Sequence, residues 1–401
     1  MSQLRSELEA GQPPLNEAPL HVENAVRQRY SAASQSIEAS LCCPVDYDPR
    51  YLQALPQEIL ERDYGCGDPS RHVREGETVL DLGSGGGKIC YIASQVVGPQ
   101  GRVIGVDMND DMLVLARRHR PAVAAAIGWD NVEFRKGRIQ DLALDLEAFE
   151  RHLADQPVRS VDDWGRAQQF ADAQRAASPL VADGSIDVIV SNCVLNLVRA
   201  EDRRRLFREM HRVLKRGGRA VISDIVSDEP VPAHLQNNAE LWSGCISGAF
   251  EERDFFRAFE EAGFYGMHYE VFETEPWGTV EGIEFRSVTI VGYKGKEGPC
   301  LDHKQAVVYR GPWKAVIDDD GHTLRRGERM AVCEKTFGIY TRPPYAQQVI
   351  AVEPRQPVDP AFAQPFDCSR DAVRDPQVTK GAAPRLTQLP QGSCCGPSGC
   401  E

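Results

Sequence analysis

Residues 79–87, VLDLGSGGG, carry the strongest structural signal in the sequence. A short strand pattern ends there in a glycine-rich turn, which opens a helical pattern over Gly85–Val97. Glycines in such a turn let the backbone approach a ligand closely. Asp107 ends the next strand pattern, where an acidic side chain suits the two hydroxyls of a ribose. The stretch therefore predicts a nucleotide-type pocket at the carboxyl end of a sheet.

Outward from this turn, strands and helices alternate over residues 75–228. The predicted strands are Thr78–Leu82, Arg102–Val106, Val132–Arg135, Ile186–Ser191 and Arg219–Ser223, and the later helices are Asp111–Arg118 and Glu201–Leu214. Regular alternation of this kind predicts a parallel sheet covered by helices on both faces, an α/β fold.

One segment interrupts the alternation. Residues 144–184 are long for a connection and contain helical patterns at Leu146–Leu153 and Trp164–Ala176. We interpret the segment as an insertion. It could form a lid or a partner surface, and a passive excursion is the simpler interpretation.

The flanking regions have a different character. Residues 1–74 predict a helical region that covers the pocket, with a disordered leader at 1–20 and helices at Val22–Ala33 and Pro49–Arg62. Residues 351–401 contain many prolines and end in GSCCGPSGCE, which predicts a disordered tail.

Residues 229–350 predict a mixed second domain. Its helices are expected at Ala233–Cys245 and Glu252–Ala262, and its strands at Phe285–Tyr293, Ala306–Tyr309, Ala315–Ile317 and Met330–Cys333. The pair Asp320-Gly321 is a hairpin turn signal.

Composition narrows the class of protein. The 401 residues carry 46 Lys and Arg against 59 Asp and Glu, a net charge of −13, which argues against a nucleic-acid or anionic membrane partner. No apolar run is long enough to span a bilayer, and the polar N-terminus lacks the apolar core of a signal peptide. We therefore expect a cytoplasmic protein.

In a reducing cytoplasm the 12 cysteines favour metal, redox or nucleophilic chemistry, although a buried cysteine can also be a small hydrophobe.

The details of the glycine-rich turn favour S-adenosylmethionine (SAM) over a dinucleotide. The loop has the form D-x-G-x-G-G-G, in which Asp81 precedes Gly83 and Gly85. A sulfonium cofactor carries no pyrophosphate that needs a helix N-terminus. Its ammonium and carboxylate groups fit a loop that combines an acidic side chain with backbone groups. This loop resembles the first motif of class I methyltransferases.

Several cysteines fall on segments expected at the mouth of the pocket. They are Cys42 or Cys43 and Cys66 in the N-terminal region, Cys193 after the fourth strand, and Cys245 between small residues. Cys90 lies one turn into the first helix and is interpreted as a packing residue. Three further cysteines, Cys300, Cys333 and Cys368, are interpreted as structural or incidental.

Taken together, these segments resemble the SAM-dependent arsenite methyltransferases. The matching pieces are YGCG at 64–67, the loop at 81–87, SNCVLNL at 191–197, LWSGC at 241–245 and the Cys-Cys-Gly ending. The resemblance covers most of residues 21–350. It implies a Rossmann-like SAM domain, an arsenic-binding domain and a C-terminal region.

The resemblance also implies roles for individual residues. Cys66, Cys193 and Cys245 match the arsenic ligands, and the earlier family cysteine lies in the 42–43 pair, where we favour Cys43. The implied SAM-binding residues are Tyr64, Gly83, Asp107, Met108, Ile139 and Asn192. Gln140 stands where the family usually has an acid, so its contact to the adenine amino group would be neutral.

The implied chemistry agrees with these residue types. Trivalent arsenic is soft and binds thiolates. Three sulfur ligands on one side leave the arsenic lone pair free to attack a methyl group, so alignment supplies much of the rate and no general base is required. Each transfer oxidises arsenic, and a thiol pair can return two electrons by closing a disulfide that thioredoxin or glutathione reopens. The expected pair is Cys43 and Cys66, with simple packing of Cys42 and Cys43 as the alternative.

Two other functions remain open from the sequence. A SAM-dependent methyltransferase of a small organic molecule, such as a quinone, would explain the glycine loop and Asp107 but not the cysteines. A thiol-rich protein that sequesters arsenic would explain the cysteines but not the loop. A nucleic-acid methyltransferase is disfavoured by the net charge and by the lack of a Pro-Pro motif after the fourth strand.

Overall fold

A computed structural model describes residues 22–38 and 45–381 of the chain. The chain divides into two compact units, Met1–Lys294 and Gly295–Glu401. The predicted leader at 1–20, Cys42, Cys43 and the Cys-rich ending lie outside the described residues. None of the described helices is long and apolar enough to cross a membrane.

The first unit alternates strands and helices through most of its length. Its helices are α1 (Val22–Ala33), α2 (Pro49–Leu52), α3 (Gln57–Glu61), α4 (Lys88–Val97), α5 (Asp110–Ile127), α6 (Leu146–Asp155), α7 (Val161–Ala177), α8 (Arg203–Val213), α9 (Ala233–Gln236), α10 (Ala239–Ser243) and α11 (Glu252–Glu261). Its strands are β1 (Thr78–Leu82), β2 (Arg102–Asp107), β3 (Val132–Lys136), β4 (Ile186–Asn192), β5 (Leu214–Ser227), β6 (Phe250–Glu251), β7 (Tyr265–Phe272), β8 (Gly278–Val280) and β9 (Ile283–Tyr293).

These strands form one sheet with the order β3-β2-β1-β4-β5-β9-β7. The first five are parallel, as predicted, and β9 runs antiparallel between β5 and β7. The parallel order reverses between β1 and β4, and ligands of open α/β sheets bind at such a switch point, beyond the carboxyl ends of the strands. The apolar core lies between this sheet and the helices on its two faces.

The predicted boundary between residues 228 and 229 does not separate compact units. Strands β7 and β9 lie beyond it, yet they extend the same sheet, and β9 pairs with β5 over nine residues from Arg219 to Ser227. The physical reason is that β5 would otherwise present a long unpaired edge. The division between units falls instead at residue 294.

The described part of the second unit is built from short strands and two short α-helices. They are β10 (Leu301–Asp302), β11 (Ala306–Tyr309), β12 (Ala315–Ile317), β13 (Thr323–Arg325), β14 (Arg329–Ala331), α12 (Glu334–Tyr340), β15 (Val349–Val352), β16 (Gln364–Pro365) and α13 (Pro376–Lys380). The central sheet has the order β14-β11-β15, and β12 and β13 form the hairpin predicted around Asp320-Gly321.

The prediction of a disordered tail from residue 351 is wrong for residues 351–381. Within this range β15 pairs with β11, β16 pairs with β10, and α13 begins at an Asp375 cap. Two of the prolines in this range, Pro360 and Pro376, start helical turns, where no N–H is needed. Residues 382–401 lie outside the described part of the chain.

Local sequence explains where the helix predictions differ from the structure. The helix predicted over Pro49–Arg62 is divided into α2 and α3, because Pro56 cannot continue the first. The helix predicted over Ala233–Cys245 is divided into α9 and α10, since Asn238 caps the second with bonds from Glu240 N and Leu241 N, both of 3.0 Å. The two helices of the predicted insertion are present as α6 and α7.

Candidate active site

A cleft opens at the carboxyl ends of β1, β2 and β4. It encloses about 1100 Å³ including its open mouth. Every residue for which we predict a SAM contact lines it: Tyr64, Asp81, Gly83, Gly85, Asp107, Met108, Ile139, Gln140 and Asn192. Cys193 lines the same cleft, whereas Cys66 and Cys245 lie behind it in a small apolar cluster with Cys193.

The glycine-rich turn and Asp107 form one hydrogen-bonded unit. One carboxylate oxygen of Asp107 accepts the N–H of Gly85 at 2.8 Å, and the other accepts the N–H of Asn109 at 2.8 Å. Burial raises the pKa of Asp107, and these backbone bonds act in the opposite direction. Each carboxylate oxygen keeps a second lone pair for a ligand hydroxyl.

The turn also needs glycine for steric reasons. Gly83 has φ +72°, and a Cβ added there would lie 2.4 Å from Cγ1 of Val194. Gly83 therefore brings the loop after β1 against the residue that follows Cys193. The cleft loop and the cysteine segment are thus in direct contact, and a larger residue at this position would push them apart.

Asp81 adds a second buried acid to the cleft. It accepts a hydrogen bond from the Cys90 thiol at 3.2 Å, and burial raises its pKa to about 7. This contact agrees with the interpretation of Cys90 as an interior residue rather than a ligand. In its ionised form Asp81 can accept a hydrogen bond from a cationic ligand group.

The side chain of Asn192 fixes the loop that carries Cys66. Its Oδ1 accepts the N–H of Cys66 at 2.8 Å and that of Gly67 at 3.1 Å, while its Nδ2 donates to the carbonyl of Gly67 at 2.7 Å. A Cβ on Gly65 would lie 2.1 Å from that Nδ2, so the loop approaches Asn192 too closely for any other residue. The glycines of the YGCG motif are explained by this approach and by the contact of Gly67 with Ser223.

Three cysteines predicted as arsenic ligands converge at this end of the cleft. Cys66 and Cys193 are joined in a disulfide with a Cα–Cα distance of 5.8 Å. The thiol of Cys245 donates to the carbonyl oxygen of Cys193 at 3.1 Å. The predicted pairing of Cys43 with Cys66 stays a prediction, since Cys43 lies outside the described residues.

The backbone is strained at two of these cysteines. Cys193 has φ +57° and Cys245 has φ +63°, a left-handed conformation that non-glycine residues rarely adopt. Such a conformation costs on the order of 1 kcal/mol or more and persists only where surrounding contacts impose it. Both cysteines are therefore held in position by their neighbours rather than by their own preference.

The turn that begins with Cys193 is held by Asp224, which is fully buried near the end of β5. Its carboxylate accepts the N–H of Leu195 at 2.9 Å, the Nδ2 of Asn196 at 2.8 Å and the N–H of Ile225 at 2.9 Å. Burial raises its pKa to about 7. One of its oxygens also lies within 4.8 Å of the sulfur atoms of Cys66 and Cys193. Asp224 thus fixes the turn after β4 that begins with Cys193.

Helix α1 lies along one side of the cleft. Arg29 donates to the carbonyl of Glu240 at 2.8 Å, which joins α1 to the helix before Cys245. On the other side Asn109 Nδ2 donates to the carbonyl of Arg27 at 3.1 Å. Tyr30 lines the cleft, and burial together with the neighbouring Cys245 thiol raises the pKa of its hydroxyl. Residues of α1 therefore form one wall of the cleft.

Comparison with known proteins shows the family to which this chain belongs. A family model for a methyltransferase domain matches residues 74–164 and 166–263. The chain is 33% identical over 322 residues to the arsenite methyltransferase of Aquipseudomonas alcaligenes, which covers 76% of this chain and 82% of that protein. The chain belongs to the arsenite methyltransferase family. It is also 29% identical over 366 residues to the arsenite methyltransferase of Mus musculus, covering 86% of each protein.

A solved structure supports the same family. The crystal structure of CrArsM, an arsenic(III) S-adenosylmethionine methyltransferase from Chlamydomonas reinhardtii, matches with a TM-score of 0.52 at 26% identity. The match covers 81% of this chain and 100% of that one. A second family model, for a domain of unknown function, matches residues 296–384 and so coincides with the C-terminal unit. As an arsenite methyltransferase family member, the protein is a SAM-dependent methyltransferase with a Rossmann-like fold.

The cleft fits SAM on its own geometry. Gly85 has φ +49°, and a Cβ added there would meet no protein atom within 4 Å, so it would stand in the open cleft and obstruct a ligand. Asp107 offers acceptors for the ribose hydroxyls, and the carboxylate of Asp81 also lines the cleft, whereas that of Asp63 is paired with Lys88 at 2.8 Å. Asn192 lines it as well, although its amide is committed to the Cys66 loop.

Several residues of this site were not predicted from the amino-acid sequence. Asp224 had a usable signal, because an acid within the apolar run VISDIV must be buried with partners. Asn109 also had one, because an asparagine two residues after Asp107 and just before a helical pattern is a typical helix cap, and it caps α5 through Asp111 N and Met112 N. Tyr30 had none, since only the packing of α1 brings it to Cys245.

Proposed function

We propose that this protein transfers methyl groups from SAM to trivalent arsenic held by the thiolates of Cys66, Cys193 and Cys245, and that it forms mono- and dimethylated arsenicals. The observation that carries the proposal is the convergence of these cysteines beside the cleft, with Cys193 itself in the cleft lining. Its similarity to proteins named arsenite methyltransferases over most of the chain supports the choice of arsenic.

The chain's own residues bind and orient the reactants. SAM, when bound, supplies an electrophilic methyl group. Asp107 and the loop after β1 hold the cofactor side of the cleft, while Asp224 and Asn192 hold Cys193 and the Cys66 loop. Three thiolates on one side of arsenic leave its lone pair free as the nucleophile. That nucleophile has no proton to lose, so positioning rather than general base catalysis is required.

The disulfide defines what must happen before arsenic binds. Thiolates bind trivalent arsenic and disulfides do not, so Cys66 and Cys193 must first be reduced by two electrons. The reverse process supplies electrons: two thiols that close to a disulfide release the two electrons that return pentavalent arsenic to the trivalent state. Cys43 and Cys66 are the pair that we propose for this step, and thioredoxin or glutathione is the proposed reductant. Both reductants imply a cytoplasmic location.

The two alternatives fit the site less well. A quinone methyltransferase does not require three cysteines beside the cleft, two of them on strained backbone. A protein that only sequesters arsenic does not require a cleft lined by Asp107 and the glycine-rich turn. Nothing in the arrangement of the cleft favours a nucleic-acid substrate.

The proposal is tested with purified full-length protein, arsenite, SAM and a thiol reductant. Arsenic species are separated by chromatography and quantified by mass spectrometry. We expect methylated arsenic that requires SAM and the reductant, and we expect none from Cys193→Ser. The matched control is Cys90→Ser, which keeps a donor for Asp81 and should retain activity. Absence of methylated arsenic from the wild-type protein would refute the proposal.

A further inference from the structure

Three cysteines of the C-terminal unit come together although they lie far apart in sequence. The sulfur atoms of Cys300, Cys333 and Cys368 all lie within 4.8 Å of one another. All three are free cysteines in the structure. The sequence interpretation of these residues as structural or incidental did not anticipate this convergence: the fold gathers every cysteine of residues 295–381 into one group, the trithiol cluster.

The fold of the unit explains the gathering. Cys300 precedes β10 and Cys368 follows β16, and these two strands pair antiparallel with Leu301 opposite Pro365. The bond from Phe366 N to the carbonyl of Cys300, 2.8 Å long, continues that pairing. Cys333 reaches the same place at the start of α12, where its sulfur accepts the N–H of Thr336 at 3.3 Å.

The surroundings of the cluster suit a reactive site. Cys333 is fully buried, whereas Cys300 and Cys368 are partly exposed, so the cluster lies at the edge of the unit rather than deep in its core. Lys335 lies beside Cys300, and hydrogen bonds from the other two thiols together with this cation lower the pKa of the Cys300 thiol against the effect of burial, whereas burial and the neighbouring thiols raise the pKa of Cys368. A lowered thiol pKa increases the thiolate fraction, which is the form that binds metals and metalloids.

The number of sulfur donors in the trithiol cluster favours trivalent arsenic over zinc. In the described part of the chain, no fourth Cys, His, Asp or Glu joins the cluster within that distance. Structural zinc takes four protein ligands in a tetrahedral arrangement. Trivalent arsenic takes three thiolates and carries a lone pair in the fourth direction, so three sulfur atoms complete its coordination.

We propose that the trithiol cluster is a second binding site for trivalent arsenic, separate from the three cysteines of the first unit. In this reaction three As–O bonds of arsenite break and three As–S bonds form. The three thiol protons leave with the three hydroxyl groups as water, and no electrons are exchanged. The choice of arsenic as ligand rests on the proposed function, whereas the convergence of the three thiols does not.

The test measures arsenic bound per chain. Full-length protein is reduced with a phosphine, incubated with arsenite, freed of excess and analysed by mass spectrometry. We expect Cys300→Ser and Cys368→Ser each to bind one arsenic fewer than the wild type, and Cys90→Ser to bind the same number. The two variants replace partly exposed residues, and circular dichroism verifies their folding. Equal arsenic content in wild type and both variants would overturn the site.

Two further readouts separate this proposal from others. With Zn²⁺ in place of arsenite, we expect equal metal content in wild type and Cys368→Ser. A loss of zinc without a loss of arsenic would make the cluster a zinc site and overturn the proposal. Methylation at saturating arsenite is measured on the same samples. If the wild type fails to methylate but Cys368→Ser still loses one arsenic, the proposed function fails and the trithiol site stands.

Discussion

The carboxylate of Asp224 positions Cys193, and its replacement by asparagine tests this directly. The side chain is fully buried, with one oxygen accepting Leu195 N at 2.9 Å and the other accepting Ile225 N at 2.9 Å and Asn196 Nδ2 at 2.8 Å. Asparagine has the same shape but only one acceptor oxygen. Whichever way the amide is turned, its NH₂ group faces a buried backbone N–H, that of Leu195 or that of Ile225.

The magnitude follows from that lost acceptor. A buried donor left without a partner costs about 1–3 kcal/mol. We expect the free energy of unfolding to fall by that amount. If the same energy holds the turn in its active geometry, arsenite methylation falls about 5- to 150-fold. SAM affinity should change little, because Asp224 does not line the cleft.

The assays are denaturant unfolding, arsenite methylation kinetics and SAM titration calorimetry. The matched control is Asp228→Asn, an exposed aspartate just beyond β5 that accepts a single bond from Glu284 N at 2.9 Å. We expect the control to change stability by less than about 0.5 kcal/mol. If Asp224→Asn keeps wild-type stability and wild-type methylation, Asp224 does not hold the turn and the reasoning is wrong.

The stability of Asp224→Asn should also depend on pH differently from that of the wild type. Burial raises the pKa of Asp224 from 3.8 to about 7, so between these values the folded state binds more protons than the unfolded state. The wild type therefore loses stability from this group as pH rises through that window, at up to about 1.4 kcal/mol per pH unit, and the variant does not. The stability difference between the two should narrow from pH 5 to pH 8. A difference that widens would mean that the folded state lowers this pKa.

Four further predictions concern the rest of the site. Asp107→Ala should weaken SAM binding about ten- to a hundredfold in calorimetry, since a hydrogen bond to a charged group is worth about 1.5–3 kcal/mol; unchanged affinity would contradict the pocket assignment. Gly65→Ala should destabilise the protein by about 1–3 kcal/mol in denaturant unfolding, because its Cβ would overlap Asn192, whereas Gly165→Ala in α7, with open space around it, should not. Cys66→Ser should block methylation of arsenite but spare part of the methylation of methylarsenite, which can bind only two thiolates; normal product profiles from both substrates would exclude Cys66 as a ligand. Deletion of residues 382–401 should leave methylation at saturating arsenite largely intact, and a folded but inactive truncation would refute this.

Much of the cofactor side of the site follows from local sequence. The loop at residues 79–87, Asp107 and Asn192 lie at the ends of consecutive parallel strands, and such ends meet at one edge of a sheet. The alternation of strands and helices is therefore enough to predict that the loop, Asp107 and Asn192 lie close together. Strand β7 was missed, because its residues are half exposed at a sheet edge and lack a strong apolar pattern.

The α/β class, the cleft and the cysteines near it can be predicted from the amino-acid sequence, because each rests on short-range patterns: a period of strand and helix, glycine in a tight turn, and an acid at a strand end. Three contacts become visible only in the folded chain: Cys66 pairs with Cys193, Asp224 holds the turn after β4, and the C-terminal unit gathers three cysteines. These contacts join residues 127, 29 and up to 68 positions apart. Their partners are chosen by sheet pairing and packing, to which no local pattern refers.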